Sequence, residues 1–194
     1  MKIELIRREV EKELPRKRWV HTMGVVQSAM QLARQHGADS EKAELAALLH
    51  DYAKYWTADK METMIRKYEA DQDVLHYEIE LWHGPAAAAA ARIQFQITDS
   101  AVLDAIRYHT SGRVGMSTLE KVVCLADYIE HNRDYDGVEH IRACAEQGLE
   151  CGLIAGLDQT LTFLIRKGKK VFPQTILARN FLIDEWKARN GGSL

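Results

Sequence analysis

Three cysteines, three prolines and twelve glycines are all that this 194-residue chain has of the residues that staple, kink or loosen a backbone. Cys124, Cys144 and Cys151 are odd in number and form no C-x-x-C pair. That excludes a disulfide framework and a zinc ribbon, and it fits a reducing cytoplasm. So little proline and glycine argues against collagen-like, disordered and turn-rich β-sandwich classes. Charge of one sign is also missing: 26 Lys and Arg face 28 Asp and Glu, a net of −2, so no basic field draws the chain to nucleic acid. No apolar run approaches the roughly 18 residues of a membrane span, and the opening residues lack the apolar core of a signal peptide. Neither a nucleic acid nor a membrane is therefore an expected partner. The sequences G-x-x-x-x-G-K-[ST], G-x-G-x-x-G and G-x-S-x-G are absent, which removes P-loop, Rossmann and serine-hydrolase readings.

What is plentiful is apolar residues, 46% of the chain against 28% charged, enough to fill the core of one domain. Their spacing is helical almost throughout. Ile3, Ile6 and Val10 recur at three- and four-residue intervals over 1–13. Over 16–36, Trp19, Val20, Met23, Val26, Met30 and Ala33 form one stripe, which stops at His36-Gly37. Ser40, followed by Glu41 and Glu44, reads as the N-cap of the next helix, through Leu45–Leu49. Thr57 opens another, and Gly84-Pro85 restarts a helix with Pro85 in its first turn. The same periodicity predicts helices at about 99–110, 117–131, 137–148, 151–167 and 175–190. Val171-Phe172 and Phe95-Gln-Ile97 are too short to build a sheet. The expected fold class is all-α: one domain over 1–189 and a flexible tail at 190–194.

Leu48-Leu49-His50-Asp51 ends an alanine-rich apolar helix, so Ala46 and Ala47, one turn back, share the face of His50 and carry it inward. An imidazole and a carboxylate in such a place are costly unless each finds a strong partner. A capping hydrogen bond is one such partner; a metal ion is another. The pair is not alone. His21 lies among Val20, Met23, Val25 and Val26, and His83 precedes Gly84-Pro85 and the run Ala86–Ala91. His109 closes a helix carrying Val102, Ala105 and Ile106, and Asp127 follows the apolar stretch Val122–Ala126. Imidazoles and carboxylates together suit first-row metals such as iron, manganese, zinc or nickel. Six such donors exceed what one catalytic zinc needs, so two ions sharing a bridging Asp51 fit the count.

Other polar residues have plainer alternatives. His36, His76, His131 and His140 stand at a helix end or among charged neighbours and read as solvated side chains. Lys54, three residues after Asp51, faces the same place, where it either pairs with a carboxylate or meets a phosphate. Arg133 either pairs with Asp134 or Asp136 or grips phosphate oxygens two at a time. The basic run Arg166–Lys170 leads into Val171-Phe172-Pro173-Gln174-Thr175, a loop suited to closing over a nucleobase and a phosphate tail. The alanine run, Trp19, Trp56, Trp82, Trp186 and the cysteines read as packing.

The order His…His-Asp…His…His…Asp on helices resembles the HD-domain metal phosphohydrolases, in the subset with two extra histidines before the last aspartate. Several segments are more specifically similar to the YqeK family, the HD-domain symmetrical dinucleoside tetraphosphate hydrolases. They are Arg18-Trp-Val-His21-Thr22, His50-Asp51-Tyr-Ala-Lys54, Leu81-Trp-His83-Gly-Pro-Ala86, Ile106-Arg-Tyr-His109-Thr110, Leu125-Ala-Asp127-Tyr-Ile-Glu130, Asn132-Arg133, Phe172–Thr175 and Ala178-Arg-Asn180. One departure is visible: the family usually has Glu-Pro-Asn-Arg where this chain reads Glu130-His131-Asn132-Arg133. On a continuing helix His131 would share the face of Asp127, as a rim spectator or an extra nucleotide contact rather than a ligand.

The resemblance implies a single HD-domain bundle with a dinuclear metal site. His21, His50, Asp51 and Asp127 would surround one ion, and His83 and His109, with Asp51, the second. Iron is the metal the family implies, while the donors also suit manganese or other first-row ions. The implied reaction is symmetrical cleavage of diadenosine tetraphosphate into two ADP. Asp51, Lys54 and Arg133 would be catalytic. His21, His83, His109, Thr110, Lys54 and Arg133 would touch the nucleotide, and Arg18 with the loop Lys170, Val171, Phe172, Pro173, Gln174 and Thr175 would hold one nucleoside. The expected partner is a dinucleoside polyphosphate or nucleoside diphosphate, and a homodimer stays open. Two other classes also stay open: a different HD enzyme, such as a mixed-valent iron oxygenase or a cyclic-dinucleotide phosphodiesterase, and a non-catalytic nucleotide-sensing helical module.

Overall fold

The structure, a computed structural model, describes residues 3–191. Its helices are α1 (Ile3–Glu13), α2 (Arg16–His36), α3 (Ser40–Leu49), α4 (Ala58–Tyr68), α5 (His83–Gln94), α6 (Ser100–Arg107), α7 (Thr118–Ile129), α8 (Val138–Gln147), α9 (Leu149–Arg166) and α10 (Pro173–Asn190). Two short 3-10 turns, Asp73–His76 and Ile79–Leu81, lead from α4 to α5. Among the described residues there is no strand, as the spacing predicts. The centre of the bundle is α2 against α3 and α7, with α5 and α6 closing one side and α9 and α10 backing α7.

Four local expectations are corrected. The cap of α3 is Asp39, not Ser40: its carboxylate accepts from the backbone N–H of Glu41 at 2.9 Å and Lys42 at 3.1 Å. A charged acceptor at the positive end of a helix outbids a hydroxyl one residue later. The buried face of α2 is wider than the expected stripe and shifted from it: Val26 and Ala33 of that stripe are inside and Trp19, Met23 and Met30 half-buried, His21, Thr22, Val25, Ala29 and Leu32 are also inside, and Val20 is exposed. An apolar stripe assumes that polar side chains face out, and here His21 and Thr22 face in. The chain leaves the helical course at Glu130, so His131 does not continue the face of Asp127, and its side chain is exposed. Finally, α10 starts at Pro173, whose fixed φ suits a first helical position, so Pro173–Thr175 form its first turn rather than a loop. Of the expected tail, Asn190 closes α10, Gly191 caps it, and 192–194 lie outside the described residues.

Small side chains set the close spacing around α5. Ala86–Ala91 are all buried, letting α5 lie near α4 and α6. At its start, a Cβ on Gly84 would stand 2.7 Å from the backbone oxygen of Arg107, so only glycine lets the two helix ends meet there. Arg107 is strapped in turn to Glu69, the C-cap of α4, with Nε donating at 2.5 Å and Nη2 at 3.2 Å. Behind α7, the buried Lys121 ammonium meets Glu150 of α9 at 2.7 Å and Glu185 of α10 at 2.9 Å. Such buried ion pairs add little net stability, but removing one partner is expensive.

Gly84→Ala should therefore be destabilising. Alanine regains at most about 1 kcal/mol of helix propensity, whereas overpacking against a backbone carbonyl, which cannot swing aside, costs about 2–3 kcal/mol, a net loss of about 1–2 kcal/mol. The expected result is a Tm lower by roughly 2–8 °C in a thermal melt, given the size of the domain. An unchanged or raised Tm would contradict the close approach.

Candidate metal centre

The six residues singled out for metal binding arrive from five helices: His21 from α2, His50 and Asp51 from the end of α3, His83 from the start of α5, His109 just past α6, and Asp127 from α7. The four histidines and Asp51 are buried, and Asp127 is partly so. Three of the imidazoles are fixed by the same local device. Nδ1–H of His50 donates to the Ala47 carbonyl at 2.6 Å, that of His83 to Glu80 at 2.6 Å, and that of His109 to Ile106 at 2.8 Å. Each acceptor is the carbonyl three residues back, one of those a helical turn leaves free at its end. A carbonyl only accepts, so Nδ1 carries the hydrogen and Nε2 is left to face the cluster.

His21 lies inside a helix and has no such carbonyl. Its Nδ1 is held by the buried Glu130 carboxylate at 3.0 Å. The other Glu130 oxygen accepts from the Asn132 backbone N–H at 2.8 Å and side-chain amide at 3.1 Å. Gly24, one turn after His21, makes room for that carboxylate; a Cβ there would collide with it. Arg142 gathers the carbonyls of Ile129, Glu130 and Arg133 at 3.1, 2.8 and 3.0 Å, closing the turn that aims Glu130. The sequence reasoning missed the roles of Glu130, Gly24 and Arg142. A usable signal existed for two of them: Glu130 stands three residues after Asp127, and Gly24 three after His21, on the same helix faces.

The Nε2 atoms and carboxylates converge. His21 Nε2 is 3.0 Å from Asp127 Oδ1 and 3.7 Å from Asp51 Oδ2, and His50 Nε2 is 3.2 Å from Asp51 Oδ2. On the other side, His83 Nε2 is 3.2 Å from Asp51 Oδ1 and 3.1 Å from His109 Nε2. The two oxygens of Asp51 thus divide the cluster, Oδ2 toward His21 and His50, Oδ1 toward His83. Donor atoms of His21, His50 and Asp127 all lie within 4.8 Å of one another, as do those of His50, Asp51 and His109. His21 Nε2 and His50 Nε2 are buried with no hydrogen-bond partner. Imidazole lone pairs facing carboxylates and one another are mutually repulsive unless a cation lies among them, so the donor set fits a metal ion.

Burial would push Asp51 up, yet His50 and His83 beside it hold its carboxyl well below the usual range. Asp127 is likewise held well below, burial being outweighed by His21 and Arg133. Burial, reinforced by His83 and His50, pulls His109 down to about 3, so it is a neutral donor at any physiological pH. Burial also lowers Lys54, against the pull of Asp51 and Asp127.

The remaining candidates divide into two groups. Arg18 donates to Asp51 Oδ2 at 2.9 Å, Lys54 Nζ lies 3.4 Å from His83 Nδ1, and Thr110 Oγ1 is 3.1 Å from His109 Nε2. Arg133 pairs with Asp127, through its carboxylate and through the backbone oxygen at 2.8 Å, rather than with Asp134 or Asp136. The 170–175 segment is held elsewhere. Lys170 Nζ donates to the His76 carbonyl at 3.0 Å, Phe172 packs on Tyr77 at 4.9 Å between ring centroids, and Gln174 donates to Gly112 at 3.2 Å. Val171 is half-buried, Pro173 exposed and Thr175 buried. Arg18 lines a cavity with Lys17 and Tyr55, whereas Phe172 and Gln174 line another with Arg107 and Tyr108.

The HD domain family matches residues 18–132, the stretch that carries all six candidate ligands. The symmetrical bis(5'-nucleosyl)-tetraphosphatase of Bacillus subtilis is 44% identical over 174 residues, 90% of this chain and 94% of the relative. That of Halalkalibacterium halodurans is 46% identical over 178 residues, 92% of this chain and 95% of the relative. A solved structure from Clostridium acetobutylicum, described as a predicted HD superfamily hydrolase involved in NAD metabolism, superposes with a TM-score of 0.90 at 36% identity, covering 95% of this chain and 98% of that one. With the fold, the order of the histidines and aspartates and near full-length similarity all in agreement, the chain belongs to the HD-domain family and, within it, to the symmetrical bis(5'-nucleosyl)-tetraphosphatases.

Proposed function

We propose that this chain is a metal-dependent hydrolase that cleaves diadenosine tetraphosphate symmetrically into two ADP. The observation that carries this reading is the convergence of four imidazole Nε2 atoms and two carboxylates, each imidazole tied through Nδ1 to a fixed acceptor. A helical module needing only a structural staple has no use for six donors with two oxygens of one aspartate turned to opposite sides. His21, His50, Asp51 and Asp127 would hold one ion, and His83 and His109, with Asp51, a second. The family implies iron; manganese and other first-row ions suit the same donors. Bound there, two ions supply Lewis-acid charge and acidify water near neutral pH.

The chain's own residues do the rest. Glu130 and the three carbonyls fix the ring orientations, so the donor atoms are set before the substrate arrives. Arg133 and Lys54 stand at the cluster to offset phosphate charge, which matters because the leaving group is itself a nucleoside diphosphate that needs neutralising more than protonating. Thr110, next to His109, and the 170–175 segment, tied to Gly112, would hold one nucleoside. All six ligands come from one chain, so this reading requires no second copy. No helix among the described residues is long and apolar enough to cross a membrane. The three free thiols suit a reducing compartment, and we assign the chain to the cytoplasm on that basis.

Two outcomes test the reading. Asp51→Ala should lower kcat/KM by ~100-fold or more, because both halves of the cluster lose a donor. His131→Ala, exposed and turned away from the cluster, should stay within about twofold of the wild type. Equal losses in a steady-state assay would contradict the ligand assignment around Asp127.

The position of the cut is the sharper test. Gripping one nucleoside at Thr110 and the 170–175 segment would set its second phosphate, counted from the ribose, at the cluster. Chromatography of an early time point should then show ADP as the sole nucleotide product, and in 18O-labelled water the label should enter one of each two ADP molecules formed. AMP with ATP in equal amounts would overturn the assigned reaction and leave the metal site standing.

A further inference from the structure

The four imidazoles follow one another across the site. Ring centroids run His83 to His109 at 4.9 Å, His109 to His50 at 5.0 Å and His50 to His21 at 5.7 Å. Thr110 marks the His109 end, where the first nucleoside is read above. A symmetrical dinucleotide centred on the cluster must send its other half past the opposite, His21 end. Arg18, three residues before His21, and Arg133, on Asp127, flank that exit. Beyond them lies a cavity of about 610 Å3, lined by Lys17, Arg18, Tyr55, Asn132, Arg133 and Tyr135. Its size falls in the range of roughly 300–1,000 Å3 usual for small-molecule sites.

Position and charge separate this cavity from the neighbouring one. A second cavity, about 460 Å3, shares Arg133 and Tyr135 but is lined also by His109, Thr110, Asp127, Asp136 and the exposed Phe163, so it lies at the first nucleoside's end of the cluster and sets one cation against two acids. The first offers three cations. Of its acids, Glu130 has both oxygens committed to His21 and Asn132, which leaves Asp134 alone to oppose them. Tyr55 follows Lys54 directly, yet its side chain is left 56% exposed between the buried Ala53 and Trp56. An aromatic ring held in solvent at the mouth of a cationic cavity is a stacking surface for a base.

We propose that this cavity is the second nucleoside subsite: Arg18, Lys17 and Arg133 take the phosphates of the far half and Tyr55 stacks its base. The proposal rests on the dinucleotide reading above. It gives the site a physical means of preferring a substrate with nucleosides at both ends to one with a bare polyphosphate tail.

The test compares diadenosine tetraphosphate with adenosine 5'-tetraphosphate, which has four phosphates and one nucleoside, used as a substrate or, where it is not turned over, as a competitor. In the full-length metal-loaded enzyme, Tyr55→Ala should reduce the preference for the dinucleotide about tenfold, mainly through KM, and Tyr55→Phe should restore it. Lys17→Ala should weaken both ligands to a similar degree, since it meets phosphate alone. A preference unchanged in Tyr55→Ala, or a loss shared equally by the two ligands, would overturn the subsite while ADP remained the product. A wild-type enzyme that makes no ADP from the dinucleotide would instead overturn the reading of the reaction, and this proposal with it.

Discussion

The hydrogen bond from an imidazole Nδ1 to a fixed acceptor is the constraint on which the metal centre depends. Three times it runs from a histidine to the carbonyl three residues behind, Ala47, Glu80 or Ile106. Each bond does two things at once. It satisfies a backbone carbonyl that the end of a helical turn leaves without a partner, and it fixes which ring nitrogen carries the hydrogen. The histidines thus close their own helical turns, and the ends of those turns become the candidate ligand positions. His21 falls in mid-helix, where no carbonyl is free, so a buried glutamate takes over the role. That substitution brings its own demands: Gly24 for space, Asn132 for the second oxygen, and Arg142 to hold the turn.

The bundle serves to bring those ends together. Because α5 and α6 approach within the room that Gly84 leaves, His83 and His109 come to 3.1 Å between Nε2 atoms. The buried alanines of α5 and the strap from Arg107 to Glu69 keep that approach in place. Asp51 then stands between the pair and the other two histidines, one oxygen to each side. Packing of five helices is what turns scattered donors into one centre, and Gly24, Gly84 and the alanines of α5 leave the room for its closest approaches.

Much of this was legible in the sequence. The helical class, most helix positions and all six candidate ligands follow from periodicity and from polar residues placed in apolar stretches; the structure brings the six together. What periodicity could not show was which polar side chains face inward on α2, because His21 and Thr22 break the apolar stripe that the pattern assumes. Nor could it foresee that α7 stops at Ile129, since the stop depends on Arg142 from a helix thirteen residues further on. Glu130 went unrecognised for the same reason: its partner His21 is 109 residues away in sequence. Arg18 and the 170–175 segment looked like one grip when read along the chain, and lie in separate cavities when folded.

The central claim is that one aspartate joins two ions within a cage of preset imidazoles. Anomalous scattering from crystals of protein loaded with iron or manganese tests it directly. The account predicts two anomalous peaks per chain, with one Asp51 oxygen on each, His21, His50 and Asp127 around the first, and His83 and His109 around the second. A single peak at full occupancy, or two peaks that Asp51 does not bridge, would contradict it.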